Sequence, residues 1–574
     1  MRSDGAWIVS WWLTWCVARC AMRAAMTNST TRADLVLEGG TVLTMDSTDT
    51  RAQAVAVRDG VIVGVGADHD VESLIGPQTR VIDCRGKTVT PGFIDSHTHN
   101  VFVGEFRYKL DQLNLPAELT TSVEVLLTRV RERAAQTPAG AWIGGKNVDP
   151  NGMRERRWPT RHELDRVAPH NPVLLTIRGG HACVANTRAL DLFGIGQDTP
   201  DPEGGVIDRD PATGDLTGVL RDVTTIRGTL PQATLAELKD GLATLEKMFL
   251  RLGITSSHDC GAGARPESYR AYREAVDECR WRIRTSLFVY HDFLMANEEL
   301  FREGFDDSQL KLRGVKLFMD GSIQCFTCAF REPYVTKDTR GWEGLRYSQD
   351  KIDEAVTEAH GRGYQVAIHA QGDFGITMAV NAIERAMQTH PRPNPRHRIE
   401  HTLCPTLEDL QRMARLGITP NLYLFHPWFW GDQHIREFIG HDRARRMVPA
   451  RTAIDLGMRP CAHSDCPVCT PDDPVWPSNP LWGMACAVTR RTRSGVDIGA
   501  AERVTPSEAL RIYTANGARA AFDEGVKGSI EVDKLADLVV LAANPLDVDP
   551  WAIKDIAVER TIVGGEIAYD RERD

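Results

Sequence analysis

Eight strand-like runs, several of them separated by helical patterns, constrain the fold of this 574-residue chain more than any other feature. The first is Val89-Thr90-Pro91-Gly92-Phe93-Ile94-Asp95-Ser96-His97-Thr98-His99, apolar on both sides of a Pro-Gly turn. Ile254 to His258, Arg284 to Tyr290, Gly314 to Met319, Tyr364 to His369, His397 to His401, Ile418 to Leu424 and Met458 to His463 follow. Helical spacing marks Leu235 to Leu252, with Leu238, Leu242, Leu245 and Phe249 on one stripe, and also Ile352 to His360 and Leu407 to Leu416. Strands that alternate with helices pair in parallel, and eight of them favour an α/β fold with a closed (β/α)8, TIM-like barrel over residues 91–526.

The ends read differently. Residues 33–90 carry hairpin signals at Gly39-Gly40 and Asp59-Gly60, and residues 527–574 carry Ala536 to Leu541 and Val558 to Tyr569 around Gly564-Gly565. Neither end alone has enough strands for a core, so both termini are expected to join in one small β-sandwich domain. Residues from about 100 to 234 hold no strong ligand candidates and include a Pro/Gly/Asp-rich tract from Asp198 to Gly218. They read as an insertion that covers the site as a lid. Residues 1–25 contain AWIVSWWLTWCVA, too short to span a bilayer and too rich in tryptophan for an ordinary signal peptide. They are read as a non-structural extension ahead of Met26.

A net charge of −10 and a pI near 6.0 argue against nucleic acid or an anionic membrane as partner. The thirteen cysteines show no disulfide-framework spacing, which suits a reducing, cytoplasmic setting.

His97 and His99 lie two apart on an extended strand and so project from one face. Two neutral imidazoles aimed together suit a divalent transition metal, although His-x-His alone is a weak signal. Four more candidates stand on later strands: Lys316 in GVKLFMDGS, His369 in VAIHAQGD, His401 in RIEH and Asp465 in HSDCPV. Singly each has an ordinary alternative as a core histidine, a helix-capping Asp or a paired buried Lys. Jointly, most of them end barrel strands, where such enzymes build active sites.

The motifs PGFIDSHTH, WIGG, RGGHACVANTRAL, GVKLFMDGS, VAIHAQGD, RIEHT, HSDCPV, SNPLWGMACAVTR and TPSEALRIYTANGARAAF run in order from about Ala33 to Tyr569. The series resembles the amidohydrolase superfamily, in particular the amidohydrolase-3 branch that includes N-substituted formamide deformylase and YtcJ-like proteins. The resemblance implies two zinc-type ions, one on His97, His99 and Asp465 and the other on His369 and His401. Lys316 would bridge them as a carbamate, since an ammonium cannot ligate whereas a carbamate is an anionic two-oxygen ligand. The ions would acidify a water as nucleophile, and Asp465 would orient it and pass its proton to the leaving nitrogen. His181 would polarise the carbonyl, with lid packing as its alternative role. The implied reaction is hydrolysis of a non-peptide carbon–nitrogen bond in a small amide, an N-substituted formamide for example. The alternatives are a deaminase or cyclic-amide hydrolase, or a scaffold that kept the barrel; a homodimer is a family-level expectation.

Three positions depart from the family pattern. Asp222 replaces an expected glutamate, taken to affect lid geometry and not chemistry. His463 replaces a common glycine and adds a donor at the rim, and Asn421 replaces a usual glutamine that touches substrate. Cys325/Cys328 and Cys466/Cys469 form two Cys-x-x-Cys pairs, too far apart in sequence for an ordinary zinc site and read as loop thiols. The aromatic loop Phe425 to Gly431 either lines a pocket for an apolar nitrogen substituent or packs against the lid or a second subunit.

Overall fold

The computed structural model describes residues 32–107, 113–467 and 478–573. The expectations for residues 1–25, Met26 and Cys469 fall outside them. Eight parallel strands follow chain order around one sheet: Phe93–Thr98, Ile254–Cys260, Arg284–Tyr290, Leu310–Phe318, Gln365–Ala370, Arg398–His401, Thr419–Leu422 and Cys461–Ala462. The last meets the first through a parallel bridge, Thr98 to Cys466, and through the Asp465 N–H, which donates to the His97 carbonyl at 3.0 Å. The eight expected strands are the eight observed.

Their bounds differ where the backbone decides. The last strand shrinks to Cys461–Ala462 because Pro460 has no N–H to give a ladder. The fourth begins earlier than expected, at Leu310, which pairs with Thr285. Helix Leu235–Arg251 starts at a capping box of Thr234 and Glu237. It buries Leu238, Leu242, Leu245 and Phe249 against the barrel, each worth about 1.5–3 kcal/mol relative to exposure.

The termini form two sheets over one core. One sheet runs Val61–Gly66, Ala54–Arg58, Leu35–Glu38, Arg80–Asp83; the other runs Glu566–Asp570, Val558–Val563, Leu538–Leu541, Thr88–Pro91, Thr41–Leu43, Arg51–Ala52. Leu37, Val55 and Val57 of the first pack with Val89, Leu538, Val540 and Ile562 of the second. Thr88–Pro91 therefore belongs to the terminal domain and Phe93–Thr98 to the barrel. Gly92 is the joint, and a Cβ there would stand 2.1 Å from the Thr255 hydroxyl.

The inserted segment is a folded unit of its own. Six strands run in the order Val206–Arg209, Leu216–Arg221, Ala182–Ala185, Val173–Ile177, Ile143–Val148, Leu113–Asn114. Helices Val123–Ala134 and Arg161–Val167 share one core with this sheet, and Thr187–Phe193 shares another.

Candidate functional site

A cavity of about 610 Å³ lies between the C-terminal mouth of the barrel and the inserted sheet. His99, Lys316, His369, His401 and Asp465 line it from the barrel, and His181 and Asp222 from the insertion. The six expected ligand residues and His181 are thus brought to one place, with His97 directly beneath.

The first and last barrel strands supply a compact donor set. Asp465 Oδ1 lies 3.5 Å from His97 Nε2 and 3.4 Å from His99 Nε2, and the three ligand atoms fall within 4.8 Å of one another. Burial holds both imidazoles below their usual value, hence neutral and able to ligate. For Asp465, burial works upward, but the hydrogen bond from His99 and the other imidazoles close by outweigh it and keep an anionic carboxylate. Asp465 sits at φ 57°, a left-handed conformation that costs a non-glycine residue energy and is typical of functional positions. Asp95 on the first strand fixes this seam, accepting from both the N–H and the hydroxyl of Ser464.

His97 is held from behind. Its Nδ1 bonds Glu400, which leaves Nε2 for the cavity side. Glu400 is fully buried and gripped by Arg398 at 2.8 and 2.9 Å, with Asn421 donating at 2.7 Å. His97, Cys260 and Glu400 also cluster closely enough to hold an ion, but the Arg398 guanidinium occupies the Glu400 oxygens and opposes a cation there. Sequence reasoning missed Glu400 and Arg398. Arg398 and Glu400 are two apart on one strand and so project from the same face, but nothing local to RIEH shows that this face meets His97.

The second pair is less complete. The His369 and His401 rings are 4.4 Å apart, and burial keeps both well below the usual imidazole value. His369 Nε2 lies 3.0 Å from the Gly321 carbonyl oxygen. No His, Cys or carboxylate among the described residues completes a three-ligand group with them. Lys316 is the group at hand, with Nζ 3.2 Å from His97 Nε2. Burial lowers its pKa and so favours the neutral amine that carboxylation needs.

His181 donates through Nδ1 to Asp222 at 2.7 Å, and Asp222 also takes Arg346 at 3.1 Å and the Thr327 hydroxyl at 2.6 Å. Burial pushes Asp222 up, but these partners bring it down to about 2. Asp222 thus holds His181 of the insertion in the cavity wall, in keeping with an effect on lid geometry. The expectations for Asn421 and His463 are corrected. Asn421 is buried under the site, donating to Glu400 and the Ser96 carbonyl. His463 lies behind the floor, its ring 5.0 Å from His97 and 4.8 Å from His401, and does not form the rim.

The aromatic stretch is not a loop. Pro427 opens helix His426–Gln433, and Trp428 packs on Trp482 and Trp551. Phe429 receives Arg178 of the insertion at 4.9 Å, and none of these aromatics lines the cavity, so the packing reading replaces the pocket reading. Cys325 and Cys328 are buried thiols pushed up by burial, and neither joins a metal-competent group. Among the described residues no helix is long and apolar enough to cross a membrane.

A model of the amidohydrolase family matches residues 80–569. The chain belongs to the amidohydrolase family. Within it the chain is 31% identical over 563 residues to the N-substituted formamide deformylase of Arthrobacter pascens, covering 94% of this chain and 98% of that one. It is 30% identical over 549 residues to YtcJ of Bacillus subtilis, covering 93% and 99%. Among solved structures it is similar to a metal-dependent hydrolase from Pyrococcus furiosus, at 25% identity and a TM-score of 0.67, over 90% of this chain and 99% of that one.

Proposed function

We propose that this amidohydrolase is metal-dependent and hydrolyses a non-peptide carbon–nitrogen bond in a small amide, an N-substituted formamide being the first candidate. The observation that carries the reading is the convergence of His97, His99 and Asp465 at the cavity, two neutral nitrogens and one anionic oxygen. That donor chemistry fits Zn2+ or a similar ion. His369 and His401 would hold a second ion, with carboxylated Lys316 between the two. When bound, the metal supplies an acidified water and polarises the carbonyl.

The chain's own groups do the rest. Asp465 accepts the proton of the attacking water and returns it to the leaving nitrogen. His181, when protonated, gives its Nδ1–H to Asp222 and has its other N–H to donate to the carbonyl oxygen. The inserted sheet covers the mouth and keeps bulk water from the reacting bond. The likeness to the Arthrobacter pascens deformylase supports trying formamides first. Protein supplied with zinc should release formate from members of an N-substituted formamide panel, and chelation should stop it. No cleavage of any formamide or other amide by the metal-loaded protein would refute the reading.

A further inference from the structure

Charge is distributed unevenly around the cavity. Each carboxylate that lines it has a partner: Asp465 with His97 and His99, Asp222 with His181 and Arg346, Glu203 with Lys351, and Asp292 with His291. Arg227 is the contrast. It stands in the 3-10 turn Thr224–Thr229 of the insertion and lines the cavity, and no ion pair among the described residues includes its guanidinium. Its side chain approaches the hydroxyl of Tyr290, which ends the third barrel strand and also lines the cavity. Glu105, another carboxylate that feels its charge, is taken by Arg265 at 3.4 Å. Val223, Ile226 and Leu230 around the same turn form an apolar wall beside it. Arg227 and His99 line the same cavity, so this cation and the donor set share one space.

We propose that Arg227, with the Tyr290 hydroxyl, binds a carboxylate on the substrate, so that the amide cleaved is an N-formyl or other N-acyl amino acid with an apolar side chain. The inference rests on the amidohydrolase reading above and names its substrate class. Arg227 is exposed at the cavity wall, and a guanidinium matches a carboxylate with two parallel N–H donors, a pairing that a neutral amide in the same place does not offer. The side chain of the amino acid then meets Val223, Ile226 and Leu230.

The test compares N-formyl-leucine with N-formyl-leucinamide on zinc-loaded protein. In parallel, ketomethylene analogues of both, which cannot be cleaved, are titrated calorimetrically. The acid analogue should bind about 10–100-fold tighter than the amide analogue, the range expected for hydrogen bonds to a charged group. Arg227→Gln should bring the acid-to-amide ratio close to one, the loss falling on KM more than on kcat, and Arg227→Lys should restore part of it. A ratio near one in the unmutated protein, or one untouched by Arg227→Gln, overturns the inference. Tight, Arg227-dependent binding of the acid analogue, with no cleavage of any amide by the zinc-loaded protein, would uphold the carboxylate site and sink the hydrolase reading instead.

Discussion

The two halves of the proposed metal centre are built by different means. His97, His99 and Asp465 come from the first and last barrel strands, and the closure of the barrel itself brings them together. Asp465 N–H bonds the His97 carbonyl, and Asp95 grips Ser464 across the same seam. His369 and His401 come from adjacent strands and share a cavity wall, yet the third donor proposed for them, Lys316, would ligate only as a carbamate. On this proposal one half is complete once the backbone closes, and the other would wait on chemistry at a side chain.

The sharpest way to break this comparison is Asp465→Asn, which removes the anion of the finished half. Turnover on the best substrate should fall by about 10³-fold or more while the thermal midpoint stays within a few degrees. Wild-type rates in that variant would end its assigned role. Next, Lys316→Met should leave the His97/His99/Asp465 half occupied and empty the other. Metal content would drop from about two ions to about one per chain, with about 10²-fold less activity; unchanged metal content would make Lys316 a bystander. Smaller again is Glu400→Gln, which loosens His97 from behind. Metal affinity should weaken by about 10–100-fold, read by competition with a chelator. The same variant leaves Arg398 buried without its counter-charge, a stability cost of about 3 kcal/mol.

The smallest effect lies away from the centre and serves as its control. His360 Nδ1 and His397 Nε2 are 2.8 Å apart, and His397 Nδ1 accepts the Val366 N–H. Burial depresses both rings below their usual value. A group whose folded pKa is lowered contributes stability that is full above its unfolded value, about 6.5 for histidine, and is lost as pH falls below it. Metal-free protein should therefore melt a few degrees lower at pH 5 than at pH 7.5. His397→Phe should remove part of that dependence, the remainder belonging to the other histidines that burial depresses, His97, His99, His369 and His401 among them; a slope unchanged in the variant would show that this pair contributes nothing.

The barrel and the ligands at its mouth were legible in the sequence because both rest on local pattern. Strand and helix periodicity located all eight strands, and His97, His99, Lys316, His369, His401 and Asp465 stand in short motifs. What lies under and over them was not. Glu400 reaches His97 across 303 positions, and Asn421 reaches Glu400 from another strand; nothing local tells a buried carboxylate from a solvated one. Asp222 was visible but its partner was not, because His181 is brought to it by the pairing of Ala182–Ala185 with Leu216–Arg221. The aromatic run was misjudged for a related reason. Pro427 reads as a loop residue, yet at the first turn of a helix its missing N–H costs nothing.

The joint at Gly92 bears on how the centre is made. Directly before it, Thr88–Pro91 pairs with Thr41–Leu43 and Leu538–Leu541 of the terminal domain; directly after it, Phe93–Thr98 pairs with Ile254–Cys260 of the barrel. The strand that presents His97 and His99 therefore has one neighbour long before Asp465, on the far side of the barrel seam, has been made. Assembly of the three-residue donor set waits for the last barrel strand, whose docking brings Asp465 beside the two imidazoles.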